Sequence, residues 1–253
     1  MKAMILAAGL GTRLRPLTDD RPKALVTVAG RTLLQIALDR LRVFGVREVI
    51  VNTHHHAAMI VDYLRENNNF GIRIEISQED VLLDTGGGLK NAAWFFLEES
   101  RSAHEPFILH NVDVISSIDL GRMVRYHEEQ KALATLAVQD RESSRLLLFD
   151  ERGQLCGRGA EGAAAANESH TQLVRSALHA TALAFSGIHV VSPRLFAKMD
   201  EQGAFSIVDA YLRLSAEGEN VIAFRADESY WRDLGRPESL IEAARDVGCG
   251  RYF

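Results

Sequence analysis

The amino-acid sequence predicts an α/β fold, a mostly parallel twisted sheet with helices packed against it, and three observations carry that expectation. A short unbroken apolar run opens the chain. Strand-like and helix-like periodicities then alternate through the first half, and the connections between them are short enough to imply parallel pairing and right-handed crossovers.

Each element has its own reason. Ala3-Met4-Ile5-Leu6-Ala7-Ala8 is apolar at every position, the pattern of a strand buried on both faces, and a glycine-rich loop follows it. From Arg31 to Phe44 the residues Leu33, Leu34, Ala37, Leu38, Leu41 and Phe44 recur at helical spacing, with Gly45 placed for a left-handed C-cap. Val46 to Val51 reads as the next strand, 57–66 as a helix, and Ile72 to Ser77 alternates as a third strand. Thr85-Gly86-Gly87-Gly88 is expected to open one helix through Leu97, and residues 106–109 lead a fourth strand into Asn111-Val112-Asp113. Further on, strands are expected at about 132–138, 145–150, 183–191 and 220–224, and helices near 193–199, 208–216 and from Pro237. The 208–216 helix is expected to be incompletely buried. The Gly/Ala-rich stretch 153–177, centred on GAEGAAAANESHT, reads as a surface excursion. Without an internal repeat or a Pro/Ser-rich linker, 1–253 reads as a single domain.

Composition narrows the function classes. Of 253 residues, 47% are hydrophobic and 25% charged, too apolar for a disordered chain and too interrupted for a bilayer span. A net charge of −5 argues against a broad nucleic-acid surface, so any phosphate is expected at a local site. The two cysteines, Cys156 and Cys249, stand 93 positions apart (249 − 156) in a chain large enough to need no staples, which points to free thiols and the cytoplasm.

The stretch Leu6-Ala7-Ala8-Gly9-Leu10-Gly11-Thr12-Arg13-Leu14-Arg15-Pro16, continuing to Arg21-Pro22-Lys23, carries the chemistry. A buried strand ends in small residues whose backbone N–H groups can approach an anion because no large side chain intervenes. No Gly-Lys-Ser/Thr follows, so this is not a Walker A loop, and Leu14 occupies the third glycine position of a dinucleotide fingerprint. Arg13 and Lys23, ten positions apart (23 − 13), suit a polyphosphate whose charge grows during transfer. Asp113 follows an apolar strand at the end where open α/β sheets bind ligands, and a hard cation is its natural partner. Asp233 lies 120 positions on (233 − 113), and two such carboxylates leave room for Mg²⁺ with water and phosphate oxygens. His54-His55-His56 lacks the nearby acidic partner and the geometry of a metal site and reads as a loop.

LAAGLGTRLRPLTDDRPKAL resembles the signature of the sugar-1-phosphate nucleotidylyltransferases, which make nucleotide sugars. The resemblance continues in family order through Leu83-Asp84-Thr85-Gly86-Gly87-Gly88, Asn111-Val112-Asp113, Phe185-Ser186-Gly187-Ile188-His189 and Trp231-Arg232-Asp233-Leu234-Gly235-Arg236-Pro237-Glu238. It implies a three-layer fold of the glycosyltransferase-A type, with the nucleotide in about 1–118 and the sugar phosphate in about 119–253. By the same resemblance Ala8, Gly9, Gly11, Thr12, Arg13, Lys23, Glu79 and Gly86 hold the nucleotide, Asn111, Gly187 and Asp233 the sugar phosphate, and Asp113 and Asp233 the Mg²⁺. Arg13, Lys23 and Asp113 are the expected catalytic groups. The N-acetylmuramate, mannose and heptose 1-phosphate branches are the nearest in kind, and a homo-oligomer is compatible with the family.

Two departures stand out. Val112 replaces the family's usual glycine, and the Gly/Ala-rich stretch offers no match for the acidic and lysine residues with which many relatives hold the sugar phosphate. At the base, an ionised Glu79 only accepts hydrogen bonds, which favours the N–H edges of guanine and uracil over adenine and cytosine, and guanine over uracil. The competing readings are a catalytically silent relative, disfavoured by the joint presence of Arg13, Lys23, Asp113 and Asp233, and a Rossmann oxidoreductase, which fails on Leu14 and on Asn52-Thr53 at the second strand end.

Overall fold

The apolar opening run forms β1 (Lys2–Leu6), which lies between two parallel neighbours in the middle of the sheet. The computed structural model describes residues 1–98, 105–159 and 172–248. After β1 come the hairpin β2 (Thr27–Val28) and β3 (Arg31–Thr32), then α1 (Leu33–Val43), β4 (Glu48–Thr53), α2 (Ala57–Glu66), β5 (Arg73–Gln78), α3 (Asp84–Asn91), α4 (Ala93–Leu97) and β6 (Phe107–Asn111). The chain continues through β7 (Val114–Ser116), α5 (Leu120–Glu129), β8 (Ala134–Gln139), β9 (Leu146–Phe149), β10 (Leu155–Gly159) and β11 (Gln172–Leu173). It ends with β12 (Thr181–Val191), α6 (Ile207–Ala216), β13 (Val221–Arg225), β14 (Trp231–Asp233) and α7 (Pro237–Gly248). Of the Gly/Ala-rich stretch, residues 160–171 lie outside the described residues, as does Cys249; the flanks of that stretch pair as β10 and β11.

Among the described residues ten strands form the main sheet, and the part in the order β6-β1-β4-β5 is parallel. The 11-residue β12 organises the remainder. It runs antiparallel to β8 along one edge, and to β9 and then β6 along the other, while β13 extends β8 in parallel. Successive residues of β1 face opposite sides: Ala3 and Ile5 join Val49 and Val51 in the core under α1, α2, α5 and α7, whereas Met4 joins Ile50 and Leu109 under α3, α4 and α6. This is the expected three-layer arrangement.

Local signals place the helices. Thr32 caps α1 by accepting the Gln35 N–H at 3.0 Å, and Gly45 terminates the helix at φ +79°. The helix expected from Thr85 to Leu97 is two helices, broken at Ala92, and the break lets Phe95 and Phe96 both enter the core, Phe96 stacking on Phe107 with centroids 3.9 Å apart. Residues 193–198 form a 3-10 turn rather than an α-helix, with Ser192 accepting the Arg194 N–H. Helix α6 is more deeply packed than its sequence suggests: Tyr211 is fully buried and its hydroxyl lies 3.0 Å from Nδ1 of His189. Helix α5 and strand β7, absent from the sequence expectation, link the two halves.

Three buried histidines give the fold an acid limit. Burial pushes His110 and His127 down to about 4 and His189 to about 3. A depressed folded pKa means that the unfolded chain binds protons first, so stability is full above the unfolded value near 6.5 and falls as pH drops toward 4. Each histidine contributes a slope of up to about 1.4 kcal/mol per pH unit. Denaturant unfolding at pH 7 and pH 5 should show a loss, and His127→Gln should reduce the pH dependence; a stability flat between these pH values would show that the histidines protonate freely in the fold.

Candidate active site

The site opens at the carboxyl ends of the central parallel strands, where the register sets Leu6 beside Asn52 on one side and Asn111 on the other. A cleft of about 560 Å³ lies there, walled on one side by Ala8, Gly9, Lys23, Asn111, Val112 and Asp113 and on the other by Asn52, Leu82, Asp84, Thr85 and Ala204. Asn52 joins the two walls: its Oδ1 accepts the Ala7 N–H at 2.7 Å and its Nδ2 donates to Glu79 at 2.7 Å.

The loop after β1 is built around Leu14, fully buried in the core beneath a short 3-10 turn Thr12–Leu14. Gly11 begins the turn at φ +65°, and a Cβ there would stand 2.9 Å from the Thr18 methyl and 3.0 Å from the Lys23 Cβ. The Thr18 hydroxyl donates to the Gly11 carbonyl at 2.9 Å, tying the loop to its own return. Gly9 differs. It is exposed, it lines the cleft, and a Cβ at its position would meet nothing within 4 Å.

A cation and a carboxylate pair at this end. Lys23, only 8% exposed, forms an ion pair with Asp113. Asp113 sits between β6 and β7, and its carbonyl accepts the Leu234 N–H at 2.7 Å, so the pairing of β7 with β14 brings Asp233 alongside. Asp233 accepts the Gly235 N–H at 2.5 Å, and its neighbour Arg232 turns away to Asp246 and Glu242. A Cβ at Gly235 would lie 2.6 Å from Nη2 of Arg13 and 2.7 Å from Oδ1 of Asp233, so this glycine leaves room for both side chains. Val112 buries its side chain in the core and donates its N–H to the Leu6 carbonyl at 3.1 Å, continuing the contact between β6 and β1.

The sugar-side motif also meets the cleft. Gly187 stands at φ +72° in a bulge of β12 where the register with β8 shifts, and its missing side chain makes room for Asn111 Nδ2, which would lie 2.8 Å from a Cβ. The Trp231 indole donates to the Ser186 carbonyl at 2.7 Å, and the Arg141 guanidinium covers the Trp231 ring at 3.6 Å.

Two expected nucleotide contacts take other places. Glu79 is 3% exposed and does not line the cleft; one oxygen receives the Asn52 amide and the other the Leu83 N–H at 2.9 Å. Its carboxylate braces the loop to α3 instead of facing a base. Gly86 is buried against Phe205, whose ring a Cβ would meet at 2.3 Å, and its N–H is taken by the Phe205 carbonyl at 2.9 Å. Gly87 and Gly88 are pressed in the same way against the Gly203 carbonyl and against Asn52 with Glu79. The triple glycine thus buys close packing of α3 between two loops. What lines the cleft beside it is Asp84, a non-glycine residue at φ +58° whose carboxylate accepts the Thr85 N–H at 2.6 Å. Asn52 and Asp84 were missed as site residues, though a polar residue ending an apolar parallel strand is itself a signal. His54 lies 2.8 Å from the Glu79 carbonyl through Nδ1, and the His55 and His56 rings pack at 3.8 Å before α2.

Parallel strands that end in a small-residue loop, with paired acidic and basic side chains at the mouth, define a nucleotide-handling α/β protein. The chain belongs to the nucleotidyl transferase family, whose model matches residues 2–146. It is 35% identical over 251 residues to the N-acetylmuramate alpha-1-phosphate uridylyltransferase of Caulobacter vibrioides, covering 95% of this chain and 94% of that protein. With the mannose-1-phosphate guanylyltransferase of Mycobacterium tuberculosis it shares 27% identity over 97% of this chain, but spans only 64% of the relative. Among solved structures, HddC from Yersinia pseudotuberculosis complexed with GMP-PN superposes with a TM-score of 0.75 at 22% identity, covering 97% of this chain and 99% of that one. A UDP-glucose pyrophosphorylase from Acinetobacter baumannii does so at 0.78 and 19%, covering 98% and 93%. Both share the fold.

The two loop glycines should respond oppositely to substitution. Gly11→Ala should lower the unfolding free energy by about 1–3 kcal/mol through left-handed strain and the Thr18 contact. Gly9→Val should leave stability within about 0.5 kcal/mol while removing triphosphate binding by calorimetry; tight binding by that variant would show that the cleft is not the triphosphate site. Glu79→Gln should cost about 1–3 kcal/mol in a denaturant titration and leave the base preference unchanged. A changed ratio of UTP to GTP use at unaltered stability would return the carboxylate to the base.

Proposed function

We propose that the chain transfers a nucleotidyl group from a nucleoside triphosphate to a sugar 1-phosphate, with UTP as donor and N-acetylmuramate 1-phosphate as the first acceptor to test. The observation that carries this reading is the end-to-end match, in identity and in length, to the Caulobacter uridylyltransferase. The guanylyltransferase relative is less similar and longer, and the sequence argument for guanine depended on Glu79 facing the base, where both its oxygens are now engaged elsewhere.

In the reaction a phosphate oxygen of the sugar 1-phosphate attacks the α-phosphorus in line, the bond to the bridging oxygen breaks, and pyrophosphate leaves with its electron pair. Both reactants are polyanions, so the protein's work is alignment and charge neutralisation. In this reading Lys23 and Arg13 meet phosphate oxygens from the loop, Ala8 and Gly9 leave the backbone open beneath them, and Asn111 with Gly187 shapes the acceptor side; the lining of the cleft by Ala8, Gly9, Lys23 and Asn111 supports it. Asp113 and Asp233 would hold Mg²⁺, which when bound neutralises phosphate charge. The donor set fits that ion: among the described residues no group of three His, Cys, Asp or Glu forms a dedicated cage, and two carboxylates leave the remaining places to water and phosphate. Residence in the cytoplasm belongs to the same proposal, supported by Cys156, a buried free thiol pushed up to about 11 by burial. Among the described residues no helix is long and apolar enough to cross a membrane.

A panel of UTP and GTP with N-acetylmuramate, mannose and glucose 1-phosphates, read by pyrophosphate release, tests the reading. UTP with N-acetylmuramate 1-phosphate should give the highest kcat/KM. Asp113→Asn and Asp233→Asn should each lower turnover by at least about 10²-fold, and EDTA should stop the reaction reversibly. No pyrophosphate from any pair would refute the assignment.

A further inference from the structure

Arg141 lies outside every motif of the first-half site, in the turn between β8 and β9, and its setting is unusual for a surface arginine. Its guanidinium is stacked 3.6 Å over Trp231, one Nη donates to the Phe185 carbonyl at 2.9 Å, and Nε is buried without a hydrogen-bond partner among the described residues. No carboxylate lies within ion-pair distance of it among the described residues. The comparably buried Arg213 and Arg232 are each matched, at 2.8 Å, to Glu201 and Asp246. Removing a guanidinium from water without an anion is costly, so a partly buried and unmatched one marks a place that an anion completes.

The position indicates which anion. Trp231 and Asp233 are two residues apart in β14 and so share a face, which puts Arg141 on the side of the Asp233 carboxylate, with which it interacts electrostatically. The same wall contains Phe185 and Ser186, which receive the Arg141 and Trp231 donors, and Gly187, against which Asn111 of the cleft is packed. Arg13 of the triphosphate loop and Oδ1 of Asp233 both border the space that a Cβ at Gly235 would fill. Arg141 belongs to the other side, that of the acceptor.

We propose that Arg141 is the receptor for the phosphate of the attacking sugar 1-phosphate. This rests on the reaction proposed above. A planar fork held by stacking and by backbone hydrogen bonds to the Phe185 and Glu142 carbonyls, at 2.9 and 3.4 Å, keeps its donors fixed in direction, which suits a phosphate monoester better than a mobile ammonium would. The stacked Trp231 makes Arg141 rigid and also provides a reporter, since Trp94 and Trp231 are the two tryptophans of the chain.

Steady-state kinetics on Arg141→Met and Arg141→Lys, with the wild-type best substrate pair, tests this. Arg141→Met should raise KM for the sugar 1-phosphate by about 10- to 100-fold and leave KM for the triphosphate within about twofold, and Arg141→Lys should fall between. Inorganic phosphate should shift Trp231 fluorescence in a Trp94→Phe background and lose that shift when Arg141→Met is added. Equal effects on both Michaelis constants, or none, would overturn the proposal while leaving the transferase reading standing. If Arg141→Met does not fold, an unchanged sugar 1-phosphate KM in Arg141→Lys overturns it equally. If the wild type makes no nucleotide sugar at all, the phosphate titration decides separately: a shift that depends on Arg141 keeps the anion site, and its absence removes it.

Discussion

The buried ion pair between Lys23 and Asp113 is the constraint on which the rest of the site depends. It joins the loop after β1 to the end of β6 across 90 residues of sequence, with the lysine and aspartate side chains 10% and 18% exposed. Losing one partner of such a pair leaves an uncompensated buried charge, at a cost of about 3–5 kcal/mol, so loop and strand end are held in register. Everything around it serves that junction: Leu14 anchors the loop in the core, Gly11 lets the chain pass beside the Lys23 stem, and Val112 fixes the backbone before Asp113 on Leu6. Groups that a polyanion and a cation would engage are thus already positioned, and the cost of ordering them falls on folding rather than on binding.

The opposite wall is fixed by packing instead of charge. Three consecutive glycines let α3 press against Phe205, Gly203 and the Asn52–Glu79 pair at distances that no side chain would permit. Glu79 gathers the Asn52 amide and the Leu83 N–H, and Phe205 in turn donates its N–H to the Leu83 carbonyl at 3.1 Å. Strand β4, the loop before α3 and the loop before α6 are therefore tied together by hydrogen bonds and close packing. The left-handed backbone of Asp84 lies in the middle of it, a conformation costing roughly 1 kcal/mol that neighbours on both sides enforce.

The sequence made the parallel half of the fold legible because its signals are local. A uniformly apolar run can only be a doubly buried strand or a core helix, and six residues decide for the strand. Helix α2 coincides with its pattern at 57–66, and Gly45 ends α1 as a C-cap glycine should. Helix α5 was not seen: its buried face is Leu120, Met123 and His127, and a histidine counted as polar hides the last position, although Asp119 caps the helix through the Arg122 N–H at 2.9 Å. The small-residue loop after β1 and the aspartates at the strand ends stand out in the sequence for the same local reason. The partners of Glu79 and Gly86, Asn52 and Phe205, lie 27 residues before one and 119 after the other (205 − 86), and no spacing along the chain discloses them. Arg141 was invisible too, since nothing in its own segment announces a ring at Trp231.

What unites the two halves is the small two-stranded antiparallel ribbon of β7 with β14. It lies outside the main sheet, yet it sets Asp113 and Asp233 side by side and carries Trp231 toward the bulge of β12. Positive charge reaches this region from different parts of the chain: Lys23 pairs with Asp113, and Arg141 acts electrostatically on Asp233. The cations belong to the loop after β1 and to the turn after β8. A reaction that brings two mutually repelling phosphates together needs positive charge from more than one segment, and the ribbon of β7 with β14 is where the topology lets the two segments meet.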